Sequence, residues 1–174
     1  EVALALGNHL SAMGFARVGC LHVLQACTGL RPSELLGLSR EDLQPTWLSP
    51  PGAPQTATIS LGTRGRPTKA KRAQWVSLSP SDDPVGCYLI AAFYLGTRPG
   101  ERLSGVSTVG EYNRLLALAC KAWRIEQLRI TGHSARAGWA TRLRAEVPLA
   151  EAPSPYVKGL MVTSKVGTRP GTVP

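Results

Sequence analysis

The sequence predicts a mainly helical α+β domain with one small antiparallel β-sheet. Two patterns carry that expectation. Apolar residues recur at helical spacing along most of the chain, and over residues 56–78 the period drops to two on both sides of a glycine-rich basic segment. A third observation bounds it: 174 residues, 43% of them apolar, suffice for one domain with its own core and do not match a disordered chain.

The first stretch, "EVALALGNHL", has helical character from its first residue and no leading Met, so the chain reads as a fragment. It carries neither the basic region nor the cleavage site of a signal peptide. Residues 15–28, "FARVGCLHVLQACT", read as a mostly apolar helix central to the core. Gly29 can end it, and Pro32 suits the first turn of a short second helix carrying Ser33 to Leu38. Residues 44–55 are rich in Pro and Gly and predict a loop.

"TATISL" then sets Ala57, Ile59 and Leu61 against Thr56, Thr58 and Ser60, and "AQWVSL" puts Gln74, Val76 and Leu78 on one side. Between them lies "GTRGRPTKAKR", so the pair reads as a β-hairpin with a long charged turn. Pro84 opens a helix, "PVGCYLIAAFYL", which Gly96 ends. Thr108 and Glu111 form a capping-box pair, and the helix they open carries Tyr112, Leu115, Ala119 and Trp123 at helical spacing. A last helix follows His133 and runs to about Ala145, ahead of Pro148. The expected division is a core domain over 1–147 and a degenerate or disordered tail over 148–174, rich in Pro, Gly and small residues. The string "GTRPG" at 96–100 and at 167–171 reads as two turns.

Lys and Arg number 20 against 11 acids, a net charge of +9. That balance suits a polyanionic partner, nucleic acid being the commonest, and equally a solvated basic surface with no partner. No apolar run is long enough to span a bilayer. Cys20, Cys27, Cys87 and Cys120 form no C-x-x-C pair and have no histidine at ligand spacing. They read as buried apolar residues in a reducing compartment, and neither a structural metal nor a cofactor is expected. Tyr88, Tyr94 and Tyr112 are expected in the core, and Trp47, Trp75, Trp123 and Trp139 in core or semi-buried positions.

"TGHSARAGWAT" sets His133 and Arg136 one turn apart at a helix start; Arg31 lies at a helix boundary in "TGLRPSELLGL", and Lys69 in the basic turn. Two arginines, a lysine and a histidine from three segments suit attack on a phosphodiester. Its transition state spreads negative charge over the phosphoryl oxygens. Guanidinium forks grip non-bridging oxygens bidentately, and lysine can hand a proton to a departing alkoxide. Histidine can bond an oxygen or move a proton. Each such donor is worth about 3 kcal/mol of barrier by analogy with oxyanion-hole donors. Arg64, Arg66, Lys71 and Arg72 read as contacts to a DNA backbone. The structural alternatives are an Arg31 that caps the preceding helix or pairs with Glu34, a His133 that is an N-cap neighbour bonded to backbone, an Arg136 that is an ordinary surface arginine, and a charged turn that is simply solvated.

These residues and their order resemble the tyrosine recombinase (phage integrase) family. "TGLRPSELLGL" is similar to the first arginine box, T-G-x-R-x-S-E-L-x-x-L, and "TGHSARAGWAT" to the second, H-x-x-R followed by a small-residue helix. The hairpin lies between them, where the family keeps its catalytic lysine. The likeness covers roughly residues 15–145 and implies an integrase-like catalytic core. It implies metal-free transesterification, in which a tyrosine forms a 3′-phosphotyrosyl link and a 5′-hydroxyl leaves. By position, Arg31 and Arg136 would clamp the phosphate, His133 would assist proton transfer, and Lys69, or alternatively Lys71, would be the general acid. The implied setting is double-stranded DNA, bound by a homo-multimer inside the cell for recombination or integration of a mobile element. The likeness lapses at the C-terminus. Gly159 fits the family's next box, but Leu160 and Met161 stand where basic and aromatic residues belong, and Pro170 falls about where the nucleophile should be. Tyr156, the only tyrosine after His133, comes early for that role. The alternatives are a catalytically dead DNA-binding remnant and a type IB topoisomerase-like domain.

Overall fold

The computed structural model describes residues 1–53, 55–62 and 73–146. Among them are six α-helices, α1 (Val2–Ala12), α2 (Ala16–Thr28), α3 (Pro32–Gly37), α4 (Pro84–Gly96), α5 (Val109–Ala122) and α6 (Gly132–Glu146), and three strands, β1 (Leu43–Gln44), β2 (Ala57–Leu61) and β3 (Gln74–Leu78). The strands form one antiparallel sheet in the order β1-β2-β3, so the fold is mainly α with a small antiparallel sheet, as the two periods predict.

Helix α2 is the central element and packs against α1, α4 and α6. Its apolar residues run nearly all round, which leaves no face for solvent, and Val18, Leu21, Val23, Leu24 and Cys27 are buried. Its crossing with α1 is close: a Cβ on Gly19 would lie 2.2 Å from the Gly7 carbonyl oxygen, so only glycine lets the backbones approach this far. Strands β2 and β3 pair with Ala57 opposite Leu78 and Leu61 opposite Gln74. The alternation buries Ala57, Ile59 and Leu61 on one strand and Gln74, Val76 and Leu78 on the other.

Several expectations are corrected. The loop anticipated from residue 44 begins with β1, where Leu43 pairs with Ile59 and Gln44 with Thr58, and a 3-10 turn follows at Thr46–Leu48. A two-residue strand leaves no alternation to read; tertiary pairing decides it. Thr108 does accept a hydrogen bond from the Glu111 N–H at 3.1 Å, but the Glu111 carboxylate bonds the Ser107 N–H instead of closing the box on Thr108. Tyr88 is 71% exposed, and Trp47, Trp75 and Trp123 are also exposed. Trp75 follows from the strand period, which turns it away from Gln74 and Val76. Tyr88 follows from α4 being apolar on every side, so that its composition does not say which face turns inward; Leu89, Ile90 and Phe93 do. Tyr94 is half-buried beneath the Arg40 guanidinium, Trp139 is half-buried, and Tyr112 is fully buried.

Cys27, Cys87 and Cys120 are buried, Cys20 is half-buried, and all four are free thiols. Burial pushes each thiol up, Cys27 to about 12. The first "GTRPG" is a turn, with the Glu101 N–H bonded to the Arg98 carbonyl and Gly100 at φ 80°. The basic turn of the hairpin, the second "GTRPG" and the expected tail at 148–174 lie outside the described residues. No helix among the described residues is long and apolar enough to cross a membrane.

Candidate functional site

The first arginine box folds as a bend between two helices. Helix α2 ends on Gly29, whose φ of 65° is left-handed and whose N–H bonds the Gln25 carbonyl at 2.8 Å. Arg31 is extended, as the residue before a proline tends to be, and Pro32 takes the first position of α3. One oxygen of the Glu34 carboxylate accepts from the Arg31 backbone N–H at 2.9 Å, and the other accepts from Arg31 Nη1 at 2.7 Å. These two bonds form the ion pair anticipated as a structural alternative, but not the anticipated cap of the preceding helix: α2 ends on Gly29, and Arg31 is the N-cap of the following helix α3. They also fix the root of the Arg31 side chain, which keeps 23% of its surface exposed.

The second box opens α6 against this bend. The Ser134 hydroxyl accepts from the Thr131 N–H at 3.0 Å, and the Asn113 side chain accepts from the Gly132 N–H at 2.9 Å, so two of the helix's orphan donors are satisfied. Gly132 is packed tightly: a Cβ there would lie 2.7 Å from Tyr112 Cε1 and 2.9 Å from Pro32 Cγ. The first turn of α6 thus rests on Pro32, next to Arg31. His133, the following residue, is exposed and makes no side-chain hydrogen bond among the described residues. Arg136, one turn on, is half-buried, and its Nη1 donates to the Gly29 carbonyl. Another turn on, the Trp139 ring covers Gly29, where a Cβ would lie 2.3 Å from Trp139 Cε3. Arg31, His133 and Arg136 are in this way gathered around one bend, although the two boxes lie about a hundred residues apart.

Beneath the bend runs a buried hydrogen-bond chain that the sequence did not disclose. His22 Nδ1 and the Tyr112 hydroxyl are 2.8 Å apart, the Tyr112 hydroxyl donates to Gln25 Oε1 at 2.9 Å, and Gln25 Nε2 donates to the Leu30 carbonyl at 2.9 Å. An amide oxygen only accepts, so the Tyr112 proton goes to Gln25, and His22 supplies an Nδ1–H to the phenol oxygen. Burial holds His22 down at about 4, hence neutral, and pushes the Tyr112 phenol well above its usual value. The signal in the sequence was faint: His22 and Gln25 are two polar residues three apart in the middle of a mostly apolar helix, which bury only when they have partners.

Lys69, Arg64, Arg66, Lys71, Arg72 and Tyr156 lie outside the described residues. Among the described residues no group of three His, Cys, Asp or Glu side chains could hold a metal ion. Among protein-family models, curated proteins and solved structures, none matches this chain.

Proposed function

We propose that this chain is a DNA breaking-and-rejoining domain of the tyrosine recombinase type, which grips a DNA phosphodiester between Arg31 and Arg136 with His133 beside them. One observation carries the reading: Arg136 bonds the Gly29 carbonyl, two residues before Arg31, so both arginine boxes converge on one bend. Nothing in local secondary structure requires that convergence. Two guanidinium groups at one site offer a phosphate paired, charge-assisted donors, and they stay protonated at any working pH. In the reaction a tyrosine oxygen attacks phosphorus and forms a 3′-phosphotyrosyl bond. The 5′-oxygen leaves with a proton, for which Lys69 or Lys71 is the donor.

The test is a nicked duplex whose cleaved end diffuses away, so that a covalent adduct accumulates. Adduct is expected with the unaltered chain and lost with Arg31→Ala, Arg136→Ala and Tyr156→Phe. Absence of adduct together with salt-dependent duplex binding would establish a second reading, a DNA-binding remnant without cleavage. Two observations favour that second reading. The Tyr112 hydroxyl, whose ring packs against Gly132 at the bend, is buried and committed to His22 and Gln25, so it is no nucleophile. Pro170 also stands where the family resemblance asks for the tyrosine.

A further inference from the structure

Six glycines among the described residues hold positive φ: Gly14, Gly29, Gly52, Gly62, Gly100 and Gly105. Two other residues do so as well, and both are arginines: Arg124 at φ 56° and Arg129 at φ 46°. At every other left-handed position among the described residues stands the residue that has no Cβ to strain. Here, twice within one loop, an arginine stands instead.

The local geometry makes the choice plain. At the end of α5 the Ile125 N–H bonds the Cys120 carbonyl and the Arg124 N–H bonds the Lys121 carbonyl, each at 3.0 Å. That is the helix-ending motif whose left-handed position is usually glycine, and Arg124 occupies it. A single 3-10 turn, Glu126–Leu128, follows and is closed by Arg129, again left-handed. The negative end of the α5 dipole favours a cation at Arg124 and at Lys121. The short 3-10 turn has no comparable field, so Arg129 is not accounted for in that way. Arg124, Arg129 and Lys121 are all exposed. Neither arginine has a side-chain hydrogen bond or ion pair among the described residues, although Glu126 lies between them in the chain. Strain of this kind persists where the side chain has a use.

The loop also has the right position. It runs directly into α6, and His133 lies four residues beyond Arg129, at most about 14 Å along a fully extended chain. We infer that the α5–α6 loop is a second contact with the phosphate backbone of a DNA duplex, made by Arg124 and Arg129 on the strand path that leads to the Arg31–Arg136 bend. The inference rests on the reading of that bend as a DNA-phosphate site. It adds a segment that neither arginine box contains.

The test compares two double variants in binding to a 30-base-pair duplex across a salt series. Arg124→Gly with Arg129→Gly removes two charges and relieves both left-handed positions. We expect an unchanged or higher Tm, a salt slope shallower by about two, and an affinity about 30-fold weaker at 0.15 M salt. Arg124→Lys with Arg129→Lys should keep the slope, since slope counts charges. If the glycine pair melts below the assay temperature, Arg124→Gln with Arg129→Gln reads the same slope. A glycine pair that binds like the unaltered chain, while Arg31→Ala and Arg136→Ala weaken binding, overturns the loop contact and leaves the bend reading intact. A lysine pair that loses as much slope as the glycine pair overturns it too. Salt-independent binding by the unaltered chain overturns the bend reading, and the loop contact with it.

Discussion

The Arg136 guanidinium donates a hydrogen bond to the backbone carbonyl of Gly29, a residue 107 positions earlier in the chain. Gly29 ends α2 in a left-handed turn, its own N–H bonded back to the Gln25 carbonyl. Trp139, one turn beyond Arg136, closes over the same residue. The glycine is therefore both the stop of one helix and the landing site of another.

Gly29→Ala should be among the more damaging single methyl additions to this protein. The left-handed backbone costs an L-residue about 1–2 kcal/mol, and the new methyl would meet Trp139 Cε3 at 2.3 Å. Overpacking adds about 1–3 kcal/mol. We expect a total loss of about 2–5 kcal/mol by urea unfolding, with quenched or shifted emission from Trp139. A loss below 1 kcal/mol would mean that the ring and the bend are not in close contact.

Tyr112→Phe tests the chain beneath the bend. It leaves the shape nearly intact but strands His22 Nδ1 and Gln25 Oε1 without a partner in a buried site. Each stranded polar atom costs about 1–3 kcal/mol, so we expect about 2–6 kcal/mol from thermal or urea unfolding. His22→Phe with Tyr112→Phe should recover part of that loss, because it removes one of the stranded atoms. Recovery of none of it would argue that the pair does not act as a unit.

Acid sensitivity follows from His22. Its folded pKa is about 4, below the unfolded value of about 6.5, because burial penalises the imidazolium. Above pH 6.5 both states are neutral and the group contributes no pH dependence. As pH falls from 6.5 towards 4, the unfolded chain takes up a proton that the folded one refuses, so stability drops by about 3 kcal/mol. Unfolding measured at pH 7 and pH 4.5 should show this drop in the unaltered chain and much less of it in His22→Gln. An equal drop in both would assign the acid sensitivity to other groups.

How much of this could be read from residues alone varied with the kind of signal. Long periodic elements were legible: Ala57, Ile59 and Leu61 face inward as their alternation implies, and α2 lies at the centre because it has no polar face. The positions of Arg31 and Arg136 at helix boundaries were legible from Gly29, Pro32 and the lead-in Thr131-Gly132. The short β1 was not, since two residues carry no period. Nor was the exposure of Tyr88, because α4 is apolar on all sides and tertiary packing chooses its inner face. The His22–Tyr112–Gln25 chain joins residues up to 90 apart, and no local pattern encodes such a partnership. The two left-handed arginines were invisible for the same reason: arginine is an ordinary helix and loop residue until its backbone is known.

Glu34 provides the sharpest test of what Arg31 is for. Its carboxylate holds the Arg31 backbone N–H with one oxygen and the guanidinium with the other. If Arg31 grips a DNA phosphate, that phosphate must share or displace the carboxylate, and the carboxylate's charge opposes it. Glu34→Gln keeps an acceptor for the backbone N–H and removes the charge. A partly exposed ion pair is worth about 0.2–1 kcal/mol, so stability should fall by no more than about 1 kcal/mol. Duplex affinity should instead rise up to about fivefold, the factor that corresponds to about 1 kcal/mol of released pairing. Anisotropy titration of a labelled duplex reads the change, with Glu34→Ala as the comparison that also removes the cap. A stability loss with no gain in affinity would mean that Arg31 serves its own helix and nothing else.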